Sequence, residues 1–349
     1  MKKSILYLYF ICQFQFSYGQ TIYINNKLGN DRNSGTIQEP LKTLDAGIQL
    51  LNKCTGHDPV TLKLGPGLYP TQANLTIQPN KNLTSKIRLT IEASILPDDS
   101  TWRQEDMPTI ISTSLPEDMG GDFCTYTFNV NTDHVTIRGI KFLGNPSLTS
   151  KHFPVYRPND TLTDLKITQC VFLGDKDAMP IQVAVMVNGH NTEIEHCVFS
   201  NCHWAAIFFY AEGWNVPIKN SCMNHCIVTG CYGGAIWTSL VDSDFRFYDN
   251  IVNKCGYFWV KNYFNKADYT IENCVVKDVT VYNGEWQESK NLGKGSYNFV
   301  EKNIIKDGSI ELCKSNDTSY FTIDRNFMHP VKGSISFELN AGIFMAISK

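Results

Sequence analysis

The chain has 349 residues, of which 12% are aromatic and 19% are charged, and its formal net charge is −3 at pH 7. This length suits one long repeat domain or two ordinary domains. Because the charge is close to neutral, there is no basic field to attract a nucleic acid, and we expect no nucleic-acid partner.

The first twenty residues are typical of a secretory signal peptide. Lys2 and Lys3 supply a positive start, residues 4–16 are largely apolar, and Ser17-Tyr18-Gly19 places small residues where a signal peptidase cleaves. The apolar stretch is shorter than the roughly 20 residues that a membrane-spanning helix needs. We therefore predict a signal peptide over 1–20, no membrane span, and a secreted chain located in the periplasm, at the cell surface or outside the cell.

The next fifty residues differ from the rest of the chain. Residues 21–24 are typical of a strand, 29–35 of a turn-rich loop, and 60–64 of another strand. Between them, apolar residues at helical spacing predict a short helix from Asp45 to Lys53. Such a block can cover the open end of a repeat domain, which otherwise exposes its core.

One pattern then recurs along most of the chain: an aliphatic or aromatic residue, two further residues, Cys or Asn, and an apolar residue two places on. Counted from a looser first copy at Ile137-Ile140-Phe142, successive copies are 23 to 30 residues apart, a period typical of a solenoid, in which stacked units share a continuous core. The seven regular copies are Ile167-Cys170-Phe172, Ile194-Cys197-Phe199, Met223-Cys226-Val228, Phe247-Asn250-Val252, Ile271-Cys274-Val276, Val300-Asn303-Ile305 and Ile323-Asn326-Met328.

The run from Tyr23 to Thr36, the segment Pro40-Leu41-Lys42-Thr43-Leu44, and the turn Gly65-Pro66-Gly67-Leu68-Tyr69 resemble the N-terminal cap of the pectate-lyase-like superfamily. The resemblance implies an all-β, right-handed parallel β-helix with a short helix in its cap. It also implies one domain over 21–349, with the cap at 21–70 and regular rungs at 130–330. Members of this superfamily include polysaccharide lyases, glycoside hydrolases, epimerases and phage tailspikes, and no stretch of this chain identifies a subfamily.

Eleven cysteines remain after the signal peptide, and most of them share two repeat positions. Small apolar side chains that stack from rung to rung form an interior ladder, and free cysteine is among the most buried residue types. We therefore favour buried thiols over disulfides, although a bridge between adjacent rungs stays open. The two predicted ladders are Cys170, Cys197, Cys226 and Cys274, and Cys202, Cys231 and Cys255.

A second strand in each rung predicts an outward aromatic strip. Steps of 29 and 24 residues align Ile207, Ile236 and Val260, which we expect to point inward, so that strict alternation turns their neighbours outward. Flat aromatic faces suit the apolar face of a pyranose, whereas the alternative is that these rings pack under loops. The predicted outward residues are Ala206, Phe208, Tyr210, Ala235, Trp237, Ser239, Trp259, Lys261 and Tyr263, of which Tyr210, Trp237, Trp259 and Tyr263, with Glu285, form the predicted substrate-binding set.

Carboxylates flank this strip. Glu212 and Asp242 fall on adjoining rungs, with Asp244 nearby, and a separation of about 5–5.5 Å is that of a retaining glycosidase. In that reading one carboxyl is the general acid and the other the nucleophile; the alternative is that they are ordinary acids at turns. Lys261 offers a base for β-elimination, or is simply a solvated lysine.

A second candidate group precedes the central repeat position. His196, His225 and Asp249 share one column, which could act in acid–base chemistry or bind zinc. The alternative is a polar column at a bend, continued by Gln169 and Asn273.

Together these features predict a secreted enzyme that degrades a polysaccharide, with hydrolysis favoured because acids outnumber bases near the strip. One alternative is a polysaccharide lyase that acts on a uronate-containing glycan, and another is a non-catalytic carbohydrate-binding or surface structural protein. We predict a polysaccharide or oligosaccharide as partner and no metal or cofactor, with calcium considered only for the lyase. The oligomeric state is left open.

Overall fold

The computed structural model describes residues 19–119, 121–147, 149–208, 219–238, 245–261, 267–285, 297–306, 330, 334 and 336–345. Almost all regular structure in these ranges is β-strand. The elements in chain order are β1 Gln20–Ile24, α1 Leu44–Asn52, β2 Val60–Leu64, β3 Leu68–Thr71, β4 Leu75–Ile77, β5 Leu89–Ala93, β6 Thr109–Ser112, β7 Glu117–Met119, β8 Asp122–Val130, β9 Val135–Arg138, β10 Lys141–Leu143, β11 Lys151–Arg157, β12 Thr163–Thr168, β13 Val171–Leu173, β14 Val183–Val187, β15 His190–Glu195, β16 Val198–Ser200, β17 Trp204–Phe208, β18 Cys222–Asn224, β19 Ile227–Thr229, β20 Gly234–Thr238, β21 Arg246–Tyr248, β22 Ile251–Asn253, β23 Tyr257–Lys261, β24 Ala267–Lys277, β25 Val281–Glu285 and β26 Tyr297–Ile305. Gln104–Asp106 and Phe337–Leu339 form short 3₁₀ turns.

These strands coil as a right-handed parallel β-helix, which confirms the predicted fold. In the regular part, each strand pairs in parallel with the strand three places later in the chain, as β15 does with β18, β16 with β19 and β17 with β20. One turn of the coil, a rung, therefore contains three strands. Two of them belong to a 17-stranded sheet, here called sheet A, and the third to a 9-stranded sheet, here called sheet B.

The predicted N-terminal strand and short helix are present as β1 and α1, and the helix begins and ends one residue earlier than predicted. Asp31 accepts hydrogen bonds from the backbone N–H groups of Lys42 and Thr43, each at 2.8 Å, which fixes the loop before α1. Thr43 caps the helix by accepting from the N–H of Ala46 at 3.2 Å. The apolar face of α1 (Leu44, Ile48 and Leu51) is buried in the core of the domain.

The first five copies of the repeat stack inside the coil at matching positions. The copy Val300-Asn303-Ile305 was aligned wrongly by one residue, because Cys274 pairs with Ile304 and Val275 with Ile305. The last predicted copy lies outside the described residues. Phe142, Phe172 and Phe199 form a column of nearly parallel rings with centroids 5.0 and 4.9 Å apart. The cysteines of both predicted ladders are buried and free, so the expected interior thiols are confirmed and none of them is in a disulfide. Asn250 takes the place of Cys in its rung and is fully buried.

A single left-handed residue joins the two strands that each rung contributes to sheet A. These residues have φ between 48° and 70°, a conformation that Gly, Asn, Asp and His adopt more readily than other residues. The column they form is Gly139, Gln169, His196, His225, Asp249, Asn273 and Asn303.

Residues 336–345, here called the strap, lie across the outside of sheet A. Ala341, Ile343 and Phe344 pack against a column of outward apolar side chains from successive rungs, and Phe344 meets Trp102 edge to face at 5.5 Å. In the part of the chain that the structure covers, no helix is long and apolar enough to cross a membrane.

Candidate functional site

The outer side of sheet B carries the candidate site, and its strands depart from simple alternation. In β17, Trp204 and Ile207 belong to the outer cluster, whereas Ala205, Ala206 and Phe208 belong to the core. Two consecutive residues therefore point inward in the middle of the strand. The same order recurs in β14, β20 and β23, so that the outward residues lie three apart instead of two.

This local irregularity makes the predicted alignment wrong by one residue. Ala206 pairs with Ile236, and Ile236 with Trp259, all in the core column. Ile207 pairs with Trp237, and Trp237 with Val260, all on the outer side. Ile207 and Val260 were therefore wrongly expected to point inward, and Ala206, Ala235 and Phe208 wrongly expected to point outward.

Trp259 is likewise a core residue and not part of a sugar-binding surface. Its side chain is 0% exposed, and its Nε1 donates to Thr238 Oγ1 at 2.8 Å. Its indole packs edge to face against Phe245 and Phe247 and stacks on Tyr269. The prediction that Trp259 contacts a substrate is wrong, because the register shift exchanges it with Val260.

Of the remaining predicted residues, the structure describes some and not others. Lys261 pairs with Thr238 and with Glu285 in the backbone register of sheet B, so it does not share the column of Trp237. Trp237 is on the outer side and half-buried, as predicted. Residues Tyr210, Glu212, Ser239, Asp242, Asp244 and Tyr263 lie outside the described residues, and their predicted roles stay predictions.

Aromatic rings are concentrated on this outer side, here called the aromatic face and formed by Tyr126, Phe153, Tyr156, Trp204, Trp237 and Tyr257. Tyr126 stacks on Tyr156 with centroids 5.4 Å apart. The ring centroid of Trp204 lies 5.5 Å from that of Trp237 and 6.2 Å from that of Tyr257. Trp204 is 1% exposed, whereas Trp237 and Tyr257 are only half-buried. The buried indole therefore supports two rings that remain accessible.

Two consecutive glycines make this arrangement possible. A Cβ at Gly233 would come within 2.4 Å of His203 Cδ2, and one at Gly234 within 2.4 Å of Trp204 Cζ3. The rings of His203 and Trp204 thus lie over the next rung, in space that any other residue at positions 233 and 234 would occupy. This is how Trp204 contacts Tyr257, which is two rungs away in the order β17, β20, β23.

One edge of the aromatic face carries a neutral imidazole. His203 stacks on Tyr232 with centroids 4.8 Å apart, and Lys176 Nζ lies 5.4 Å from the Tyr232 ring. Burial, assisted by the charge of Lys176, lowers the pKa of His203 to about 4, so the ring is uncharged at neutral pH. Tyr232 is 38% exposed and extends the accessible aromatic surface. Sequence reasoning missed Tyr232 and Lys176, although Tyr232 directly follows the ladder residue Cys231.

The opposite end of the aromatic face carries a carboxylate. Tyr126 Oη donates to Glu117 Oε2 at 2.8 Å, and Glu117 is exposed on the β7–β8 hairpin. Burial of Tyr126 and the neighbouring carboxylate together raise the pKa of this phenol. No repeat pattern points to Glu117, because the hairpin is an irregular insertion between rungs.

The second predicted group, His196, His225 and Asp249, is brought together at the bend in sheet A. The two imidazoles stack with centroids 4.7 Å apart and planes 5° apart, and His225 Nε2 lies 3.7 Å from Asp249 Oδ2. Both Nδ1 atoms bind backbone carbonyls of the strap, at 3.0 Å to Gly342 and 2.8 Å to Leu339. This column lies on sheet A, whereas the aromatic face lies on sheet B.

The two rings are parallel, and each binds the strap through Nδ1. Their Nε2 atoms therefore point in the same direction, so the two histidines do not converge on one metal ion. Throughout the described ranges, no three His, Cys, Asp or Glu side chains form a group suited to a metal. A cleft of about 500 Å³ lies elsewhere, beside Tyr282 and Lys306 of the last described rungs, and contains none of the predicted site residues.

The chain has distant structural likenesses among known proteins. No protein-family model matches the chain, and no curated protein sequence matches it. Among solved structures it is similar to a rhamnogalacturonan lyase, with 12% identity over 74% of each chain and a TM-score of 0.44. It is also similar to the GH136 lacto-N-biosidase from Eubacterium ramulus, with 12% identity over 82% of this chain and 68% of that one and a TM-score of 0.49. A third similar structure is the pectin methylesterase from Aspergillus niger, with 14% identity over 87% of this chain and 91% of that one and a TM-score of 0.42. At these identities and TM-scores the likenesses assign neither a family nor an activity to the chain.

Proposed function

We propose that this parallel β-helix protein binds a polysaccharide along the aromatic face and cleaves its glycosidic bonds. One observation carries the proposal: Trp237 and Tyr257 are accessible rings on adjacent rungs of sheet B, and both contact the buried indole of Trp204. Rings held by such contacts lose little freedom when a ligand stacks on them.

The geometry favours an elongated ligand with flat apolar faces. Rungs are spaced about 4.8 Å apart, so a ligand that contacts successive rungs must extend along the axis of the coil. Sugar rings present C–H faces that suit aromatic rings, and their hydroxyl groups can reach the polar edges of the face. Tyr232 and His203 supply one such edge, and Glu117 supplies another.

Hydrolysis remains the favoured reaction within this proposal. It requires two carboxyl groups at a separation set by the stereochemical outcome. Glu212, Asp242 and Asp244 are the proposed pair and its neighbour, and Glu117 is a further carboxylate that borders the aromatic face. Secretion, proposed from residues 1–20, would bring the protein to a polymeric substrate outside the cell.

Elimination is the second candidate reaction, and Lys176 beside Tyr232 is the observation that favours it. A lyase needs a base to remove the proton next to a uronate carboxyl group, and a positive charge to stabilise the carbanion that forms. A non-catalytic carbohydrate-binding protein would need only the aromatic face.

The test is to incubate the purified protein with a panel of polysaccharides and oligosaccharides and to follow binding, new reducing ends and the ultraviolet absorbance of unsaturated products. New ends without absorbance support hydrolysis, and both signals together support elimination. Binding without new ends supports a binding protein. Trp237→Ala and Tyr257→Ala should weaken binding or turnover, whereas Tyr248→Ala, on the outer side of sheet A, should not. Neither binding nor products on the whole panel would overturn the proposal.

A further inference from the structure

The strap is attached to the solenoid mainly through the left-handed column of sheet A. Gln169 Nε2 donates to Ile343 O at 3.0 Å, His196 binds Gly342 O, and His225 binds Leu339 O. In return, the N–H of Gly342 donates to His225 O at 2.9 Å. Two of the three side chains that hold the strap are therefore imidazoles.

These bonds determine which nitrogen carries the proton in each ring. A backbone carbonyl only accepts hydrogen bonds, so Nδ1 of His196 and Nδ1 of His225 must both be protonated. A second proton on either ring must then go to Nε2. At His225 that atom faces Asp249 Oδ2 at 3.7 Å, which offers a counter-charge.

At His196 the surroundings oppose the addition of a second proton, because the ring is buried and stacks on another imidazole. The residue is 7% exposed, and its ring stacks on that of His225 at 4.7 Å. Glu195 and Asp98 also face it and oppose this effect, but Glu195 is already paired with Lys166 at 2.8 Å. Asp98 already accepts from Gln169 at 3.0 Å and from the N–H of Met345 at 3.1 Å. Both acids favour a charged His196, but the burial of the ring outweighs them.

We propose that the strap is a pH-sensitive latch, in which protonation of the buried His196, stacked on His225, releases residues 336–345 from sheet A. Release removes Ala341, Ile343 and Phe344 from the apolar column beneath them, which includes Val198 and Ile227. The latch thus links acidification to the exposure of an apolar strip on sheet A, on a different sheet from the aromatic face.

The direction of the pH effect follows from linkage. Burial, and then the charge of His225, lower the pKa of His196 in the closed state, whereas a released His196 regains an ordinary pKa. The released form therefore binds a proton that the closed form excludes. Closure is fully stable above the ordinary histidine pKa of about 6.5 and weakens as the pH falls below it.

Hydrogen–deuterium exchange of the full chain tests the latch. After correction for intrinsic exchange, the peptide that contains residues 336–345 should exchange about tenfold faster near pH 5 than near pH 7.5. A core peptide that contains Phe172 and Phe199 should stay protected at both values, which separates strap release from global unfolding. Equal protection of the strap at both values would overturn the proposal.

Variants identify the group responsible. His196→Asn keeps a donor, tolerates the left-handed backbone as Asn273 and Asn303 do, and carries no charge. It should abolish the pH dependence of strap exchange, and His225→Asn, which removes a group that lowers the pKa of His196, should reduce it. His57→Asn, an exposed histidine in the cap region, should leave it unchanged. A pH dependence that persists in His196→Asn would exclude His196 as its cause and overturn the proposal.

Discussion

Trp204 lies directly over Gly234, and the two residues fit together only because position 234 has no side chain. A Cβ there would approach Trp204 Cζ3 to 2.4 Å and the backbone oxygen of Tyr257 to 2.9 Å. Since real Cβ atoms do not approach that closely, the indole or the neighbouring rung would have to move. The aromatic face therefore depends on a residue that has no side chain.

Gly234→Ala should displace the indole and destabilise the protein by about 1–3 kcal/mol, the usual cost of overpacking. Urea unfolding measures the loss, and near-ultraviolet circular dichroism reports the altered tryptophan environment. In a Trp204→Ala background the same substitution should cost clearly less, because the clashing ring is gone. Strictly additive losses would show that the indole is not the obstacle.

The register of sheet B predicts different roles for Trp237 and Trp259, which the sequence analysis had placed together in the outward, substrate-binding set. Trp259→Ala should destabilise by about 3–5 kcal/mol, because it empties a core site and removes the bond to Thr238. Trp237→Ala should cost less than half as much, since Trp237 is half-buried on the outer side. Chemical denaturation of both variants checks this, and equal losses would contradict the register.

The sequence was sufficient to align sheet A from β12 to β24, because these strands obey strict rules, but it misplaced β26 by one residue. Ile167, Ile194 and Met223 pair directly across rungs, as the repeat predicted. Each inward residue there is followed by a polar one and then a left-handed bend, so the pattern can be read from residue types alone.

Sheet B could not be aligned in the same way. Small and large apolar residues are equally acceptable at its two adjacent inward positions, as Ala205 and Ala206 or Phe258 and Trp259 show. Residue type therefore does not reveal where alternation breaks, and a one-residue slip exchanges the two faces. The strap was also beyond prediction, because Phe344 meets Trp102 and Gly342 meets His196 across long stretches of chain that no local pattern connects.

Asn250 should be the most sensitive position of the repeat column. Its Nδ2 donates to Met223 O at 2.9 Å, and its Oδ1 accepts from the N–H of Cys226 at 2.8 Å. The Asn250 side chain is fully buried, so both bonds are shielded from solvent. Asn250→Ala leaves a buried donor and a buried acceptor without partners, so we expect a loss of about 2–4 kcal/mol. Thermal and urea unfolding measure it. Asn82→Ala in an exposed loop should change stability by less than about 0.5 kcal/mol, and a comparable loss at both positions would argue against the buried bonds as the cause.

His152 should make stability depend on pH in the mildly acidic range. It is 1% exposed, its Nδ1 lies 3.0 Å from Thr125 Oγ1, and burial lowers its pKa to about 3. In the unfolded chain its pKa is about 6.5, so below that value the unfolded state binds a proton that the folded state excludes. The contribution is complete above pH 6.5 and is lost progressively as the pH falls towards 3.

Between about pH 7 and pH 5 this residue alone should lower the free energy of unfolding by about 2 kcal/mol. Urea unfolding of the parent and of His152→Gln at both values isolates its share, because the other buried histidines contribute equally to both proteins. The difference between the two pH values should shrink by that amount in His152→Gln, whatever the variant's absolute stability. It should remain unchanged in the exposed-site control His57→Gln. An unaltered difference in His152→Gln would mean that His152 takes up a proton in the folded state despite its burial.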